Sequence, residues 1–253
     1  MCQFPVRRRS TTRTLCNQLL GGDTIRMADD GARTISWQLR YKNLTNDEWS
    51  SIEQLFENCE GRLSTFTFVD PTDNLLMWSE DWSRPAWSVD PLIEVTPGAQ
   101  DPFGGTGALQ ITNTSQTAQR IFQTIGSASW FQYCFSVYLR SDVATSVRVV
   151  ASAGLESRKS VIVDTNWTRV INPAKLSSNQ DGIAFGLELP AGTRLDAFGP
   201  QVEAQPAAGY YKKTTDRGGV YGKTRFDTDS LTLVSDGPNE NSSVVNLISG
   251  AAQ

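Results

Sequence analysis

The chain contains no histidine in its 253 residues. That removes the commonest general base and the commonest metal ligand. It excludes Ser-His-Asp and Cys-His arrangements and leaves zinc sites of the usual kind without their main donor. The four cysteines, at positions 2, 16, 59 and 134, form no C-x-x-C pair. The N-terminal residues lack the apolar core of a secretory signal, so the cysteines read as free thiols in a reducing cytosol rather than as a disulfide framework. Cys2 has no hydrophobic run before it, which argues against a lipoprotein. No apolar stretch approaches the roughly 20 residues that span a bilayer, so no membrane insertion is expected. A net charge of −4 supplies no basic footprint, and no nucleic-acid specificity is expected. The one dense basic run, Arg7-Arg8-Arg9, reads as a solvated N-terminal segment. No metal, cofactor or catalytic residue is expected, and nothing in the composition favours an enzyme.

What is present is alternation. "TISWQLRY" places Ile35, Trp37, Leu39 and Tyr41 on one face and polar residues on the other, the pattern of a half-buried strand. Thr45 and Glu48 then form a capping box, which satisfies two orphan donors at a helix start. Trp49, Ile52, Phe56 and Cys59 follow at helical spacing, and Gly61 is a natural stop. A helix is therefore predicted over 46–60, with Trp49, Ile52 and Phe56 facing the sheet that carries Trp37 and Leu39. Cys59 reads as core. "STFTFVDP" closes the unit as a second strand.

Between about 100 and 204 the texture changes to short alternating segments punctuated by Gly, Asn, Asp, Ser and Pro: "GALQITN", "YCFSVYLRS", "TSVRVVA", "SVIVD", "NWTRVIN", "IAFGLEL" and "RLDAFGPQVE". This is the signature of an antiparallel sandwich. After "YYKKTTDRGG", the stretch "KTRFDTDSLTLVSDGPNENSSVVNLIS" reads as two strands joined at Asp236-Gly237-Pro238, one of them containing Leu231 and Leu233. Two strands cannot bury a core alone. They are expected to complete a sheet begun by the first 72 residues, with the middle inserted. The expected architecture is mainly β: a discontinuous β-sandwich domain with one short helix from 1–72 and 215–253, and an inserted antiparallel jelly roll from 73–214.

The run W-x-L-x-Y…E-W-x-x-I…L-F…G-R…F-T-F-x-D-P, from Trp37 to Pro71, resembles the N-terminal domain of distal tail proteins of long-tailed bacteriophages, and is similar to tail proteins of gene transfer agents. "RFDTDSLTL" with "VVNLIS" resembles the strands that complete such a domain. The middle looks like a carbohydrate-binding-module jelly roll, and its ending "FGPQVE…GYYKKT", Phe198 to Thr214, is similar to the last strand of such modules in phage tails. The resemblance implies a structural virion protein in the tail, assembled in the host cytoplasm. It implies a ring, usually a hexamer, between the tail tube protein and the tail tip hub or baseplate, with itself as first partner. The outer segments carry nine basic and nine acidic residues over 1–72, a balance that permits self-association without strong like-charge repulsion. Phe4 and Pro5 are expected to reach across as an arm.

The alternative is a glycan-binding host-attachment tail protein, with a host surface glycan as partner. Its candidate residues are Trp82, Trp87, Trp130, Tyr133 and Trp167, since aromatic rings can receive the apolar face of a sugar. The competing reading makes them core and seam residues. The carboxylates around them (Asp70, Asp73, Glu80, Asp81 and Asp90) raise a third class, a glycoside hydrolase. Asp-Pro and Asp-Asn steps are also ordinary turn chemistry.

Overall fold

The computed structural model describes residues 3–250; Cys2 lies outside them. In chain order the elements are β1 (Gln3–Gln18), β2 (Thr24–Leu44), α1 (Asn46–Asn58), β3 (Phe66–Val69), β4 (Ser88–Val89), β5 (Ile93–Ala99), β6 (Ala108–Asn113), β7 (Gln119–Ile125) and β8 (Tyr133–Arg140). There follow β9 (Thr145–Ala153), β10 (Leu155–Val163), β11 (Thr168–Ala174), β12 (Ile183–Leu189), β13 (Arg194–Glu203), β14 (Val220–Phe226), β15 (Val234–Gly237) and β16 (Glu240–Gly250). The protein is mainly β, with antiparallel sheets and one helix among the described residues. It divides into two compact units, Met1–Phe68 with Tyr221–Gln253, and Val69–Val220.

Unit 1 is one sheet with strand order β1-β2-β16-β14-β3, β15 pairing with β16. Alternation fixes its faces. Trp37 lies opposite Leu247, and Leu247 opposite Phe226, so Ile35, Trp37, Leu39, Val245, Leu247 and Phe226 share one buried face. Trp37 makes edge contacts with Phe68 and Tyr221, at 5.0 and 4.7 Å between centroids. Helix α1 lies on this face. Thr45 and Glu48 make the reciprocal capping box; Trp49 and Cys59 are buried, and Phe56 meets Phe226 edge-on at 5.0 Å. Beyond the C-cap Cys59 the chain turns at Gly61 with φ +62, a conformation that glycine adopts without penalty, and the Gly61 N–H donates to the Phe56 carbonyl at 3.1 Å.

Arg7-Arg8-Arg9 is exposed, as expected, and lies within strand β1, which pairs with β2 as one long hairpin. One expectation at the other end of unit 1 is corrected. Leu231 and Leu233 lie in no strand; the chain returns to strand only at Val234 and turns at Pro238-Asn239, Asn239 with φ +59. Asn239 spends its side chain on the first helical residue, accepting the Asn46 N–H at 2.8 Å.

Unit 2 is a sandwich of two five-stranded sheets, β10-β9-β12-β7-β4 and β11-β8-β13-β6-β5. Odd-numbered residues of β8 (Tyr133, Phe135, Val137 and Leu139) point inward from one sheet, and Ile183, Phe185 and Leu187 of β12 meet them from the other. The sequence placed the handovers at 72/73 and 214/215; the division falls at 68/69 and 220/221. The reason is local hydrogen bonding. The Asp70 N–H donates to the Gly219 carbonyl at 2.8 Å, the Gly219 N–H to Asn74, and the Leu75 N–H to Val202. Both connecting segments are thereby tied into unit 2. Leu75 and Leu76 are core residues there, in no strand.

Candidate functional site

Two features of the structure lack an internal explanation. The first is the far half of the β1–β2 hairpin. β16 accompanies β2 only as far as Thr34. Beyond it, among the described residues, β1 and β2 continue as a two-stranded ribbon to a turn closed by the Leu19 and Gly22 N–H groups. Residues 7–28 are all exposed. The register sets Arg13 opposite Asp29, Leu15 opposite Met27 and Asn17 opposite Ile25, so these six share a face; the Arg13–Asp29 ion pair fits that assignment. Leu15, Ile25 and Met27 therefore form an apolar stripe, each more than 40% exposed, with Leu19 and Leu20 at the tip. An isolated ribbon is marginal in water, and an open apolar edge invites pairing.

The second is a pocket of about 260 Å³ in unit 2, lined among others by Trp78, Glu80, Asp81, Lys213, Thr214 and Thr215. Trp78 has φ +52, a strained conformation for a bulky residue. It is held there from both sides: its N–H donates to the Thr215 carbonyl at 2.7 Å and its carbonyl accepts the Trp87 Nε1–H at 3.2 Å. The Arg84 guanidinium stacks 4.6 Å from the Trp78 ring. Asp81 is held below the usual carboxylate range by the Ser83 hydroxyl, with Arg84 assisting against partial burial. Glu80 takes an ion pair from Lys213 and a hydrogen bond from Tyr211. Burial pushes the Tyr211 phenol up, and the neighbouring Glu80 charge adds to this. Thr214 is buried with its Oγ1 unpartnered, although its N–H donates to Ser79 Oγ. A buried hydroxyl without a partner is uncommon, and this one borders the pocket.

The five aromatic residues singled out from sequence do not form one site. Trp82 and Trp87 stack on each other at 4.7 Å in the core, 1% and 5% exposed. Tyr133 is fully buried, its hydroxyl bonded to Ser127 and to the Ala128 carbonyl. A ring with no exposed face cannot receive a sugar, so these three are corrected to core residues. Trp130 is about half exposed. Trp167 is half-buried under the Arg140 guanidinium, with its Nε1 unpartnered. Trp167 precedes β11, whereas Trp130 precedes Tyr133, which pairs with the last residue of β11. The two are thus separated by the length of that strand, about 20 Å. Sequence reasoning missed Trp78, Lys213 and Thr214 as a group, because they meet only through the return of the chain across 135 residues. The carboxylates Asp70, Asp73 and Asp81 accept from backbone N–H groups one or two residues on, which is turn chemistry.

No protein-family profile matches the chain, and no curated protein does. Among solved structures it is similar to the enzymatically active domain of tailspike protein 4 of bacteriophage CBA120, with 8% identity and a TM-score of 0.44 over 54% of this chain and 22% of that one. It is similar to the CBM22-1 xylan-binding domain of Paenibacillus barcinonensis Xyn10C, with 11% identity and a TM-score of 0.43 over 57% of this chain and 99% of that one. It also resembles TmCBM61, solved with β-1,4-galactotriose, with 11% identity and a TM-score of 0.40 over 52% and 99%.

Proposed function

We propose that this chain is a structural protein of a bacteriophage tail. In this reading unit 1 closes with copies of itself into a ring of six that joins the tail tube protein to the tip hub or baseplate. The protein is assembled in the host cytoplasm, acts in the virion tail and is not an enzyme. The observation that carries the assembly part is the exposed apolar ribbon, since a segment that cannot bury its own stripe gains stability by burying it on a neighbour. The tail assignment rests on the resemblance of Trp37 to Pro71 and of Phe198 to Thr214. The test is the mass of the full chain, free and in assembled tails. Replacing Leu15, Ile25 and Met27 together by aspartate is expected to leave a folded protein, because all three are exposed, and to reduce the ring to monomers. A wild-type chain present in three or fewer copies at the tail joint overturns the reading; a triple variant that still forms rings takes the ribbon out of ring closure.

A second reading, attachment to host glycan, is favoured by the Trp78 pocket. It has an aromatic ring, two carboxylates and a lysine, the usual ingredients of sugar recognition, whereas the Thr214 oxygen is closed to solvent. Trp78→Gly removes the ring at a position whose positive φ suits glycine. It is expected to weaken binding on a glycan array about tenfold. Unchanged binding would take the pocket out of any such role.

A further inference from the structure

Unit 1 is balanced in charge by count and polarised in space. The sheet face opposite the core carries Ser36, Gln38 and Arg40 from β2, with Val244, Asn246 and Ile248 beside them on β16. β1 places Arg7 and Arg9 on the same face, and β14 places Arg225 there. The Gln38–Asn246 side-chain hydrogen bond agrees with this assignment. Arg7, Arg9, Arg40 and Arg225 are all exposed, and within the described residues none makes an ion pair. β1, β3, β14 and the stretch 31–44 of β2 contain no Asp or Glu. At the centre of this basic face lie Val244, 46% exposed, and the half-buried Ile248.

The other side of unit 1 is the outer surface of α1. Asp47, Glu53, Glu57 and Glu60 are exposed there, and residues 46–61 contain no Lys or Arg. Leu55 is exposed among these acids. The helix side is thus an apolar centre rimmed by acids, and the sheet side an apolar centre flanked by cations, with the exposed Asp236 and Glu240 confined to the far end of β15 and β16. Their dimensions are of the same order. A 13-residue helix is about 20 Å long, and the cations span β1 to β14, three strand spacings or about 14 Å.

We infer that the basic sheet face of one copy receives the acidic helix of the next. The contact is heterologous, because the two surfaces differ, and repetition of a heterologous contact closes a ring when the rotation allows. This inference rests on the ring reading and specifies its interface; the ribbon supplies a separate contact. A polyanion such as duplex DNA is the rival occupant of the basic face. The second copy is favoured because the same chain carries a helix of matching charge, comparable size and apolar centre.

The test reverses each surface in the full-length protein: Glu53→Lys with Glu57→Lys on the helix, and Arg40→Glu with Arg225→Glu on the sheet. Light scattering is expected to show association weakened about tenfold or more in each double variant. Mixing the two in equal amounts should restore assembly, because every helix then meets a sheet of opposite sign in an alternating ring. Restoration also excludes misfolding as the cause of the single losses. Wild-type assembly should weaken between 0.1 and 1 M NaCl, as about threefold shorter screening lengths require. Rings that persist in both variants overturn this interface and leave the ring reading intact. A chain that forms no ring even in tails removes both. Loss of binding to a 30-base-pair DNA duplex in the sheet variant, with assembly unchanged, gives the face to a polyanion and also overturns the inference.

Discussion

Trp37→Ala is expected to unfold unit 1 at ambient temperature or bring it to the edge of unfolding, while unit 2 keeps its own transition. Trp37 is 1% exposed and stands where the sheet meets Phe68 and Tyr221. Truncating a buried aromatic costs about 3–5 kcal/mol through lost transfer energy and the cavity left behind. Trp37 is the largest member of the buried cluster of unit 1, whose others are Ile35, Leu39, Cys59, Phe226, Val245 and Leu247. A domain of this size holds only about 5–15 kcal/mol in total. Urea titration followed by far-ultraviolet circular dichroism should show the first of two transitions move to markedly lower denaturant. A shift below about 1 kcal/mol, the range of ordinary surface changes, would show that the cluster does not hold unit 1 together.

The complementary result is expected for Gly186→Ala in unit 2. Gly186 sits in β12 between Phe122 and Val150 of its two neighbouring strands. A Cβ built there would lie 2.0 Å from the Ile121 carbonyl oxygen and 2.6 Å from the Phe122 Cα. Both are backbone atoms of β7, so relief requires the strands themselves to separate. Overpacking in a core commonly costs about 1–3 kcal/mol. A backbone clash in the middle of a sheet belongs above that range, where losses of about 4 kcal/mol or more are found. The second transition should collapse toward the first, with hydrogen exchange in β7 and β12 rising most. An alanine variant with unchanged unit 2 stability would mean that the two strands separate at little cost.

Where local signals were strong, the sequence was informative. "IAFGLEL" and "RLDAFGPQVE" coincide with β12 and β13, both buried over nearly their whole length, because turn residues bound each short apolar run. The capping box and Gly61 located α1 for the same kind of local reason. The far half of the hairpin β1–β2 was illegible because neither of its faces is buried among the described residues, so nothing imposes alternation on "TRTLCNQ". Sites fared worse than folds. Trp82 and Trp87 are indistinguishable from exposed tryptophans until their stacked burial is known. The pocket depends on a left-handed Trp78 that no propensity foretells. The near-neutral charge count of the outer segments concealed a separation of sign that only the register of β1, β2 and β14 discloses.

The strand order of unit 1 has a consequence for synthesis. Its central strand, β16, lies between β2 and β14, yet roughly 200 residues separate it from β2 in the chain. At ribosomal speeds that interval lasts roughly 10–40 s. During it the inner edge of β2, with Ile35, Trp37 and Leu39 on one face, has no neighbour to close it. Unit 2 is made within the interval and its strands pair among themselves, and its folding draws residues 70 and 219 together. A loop of about 150 residues is thereby shortened to a hydrogen bond before β14 and β16 arrive, which lowers the closure entropy they must overcome. The insert thus acts as an intramolecular assembly jig for the sheet that flanks it. Until its final strand emerges, the nascent chain presents the open face of β2 to any chaperone that binds apolar strands.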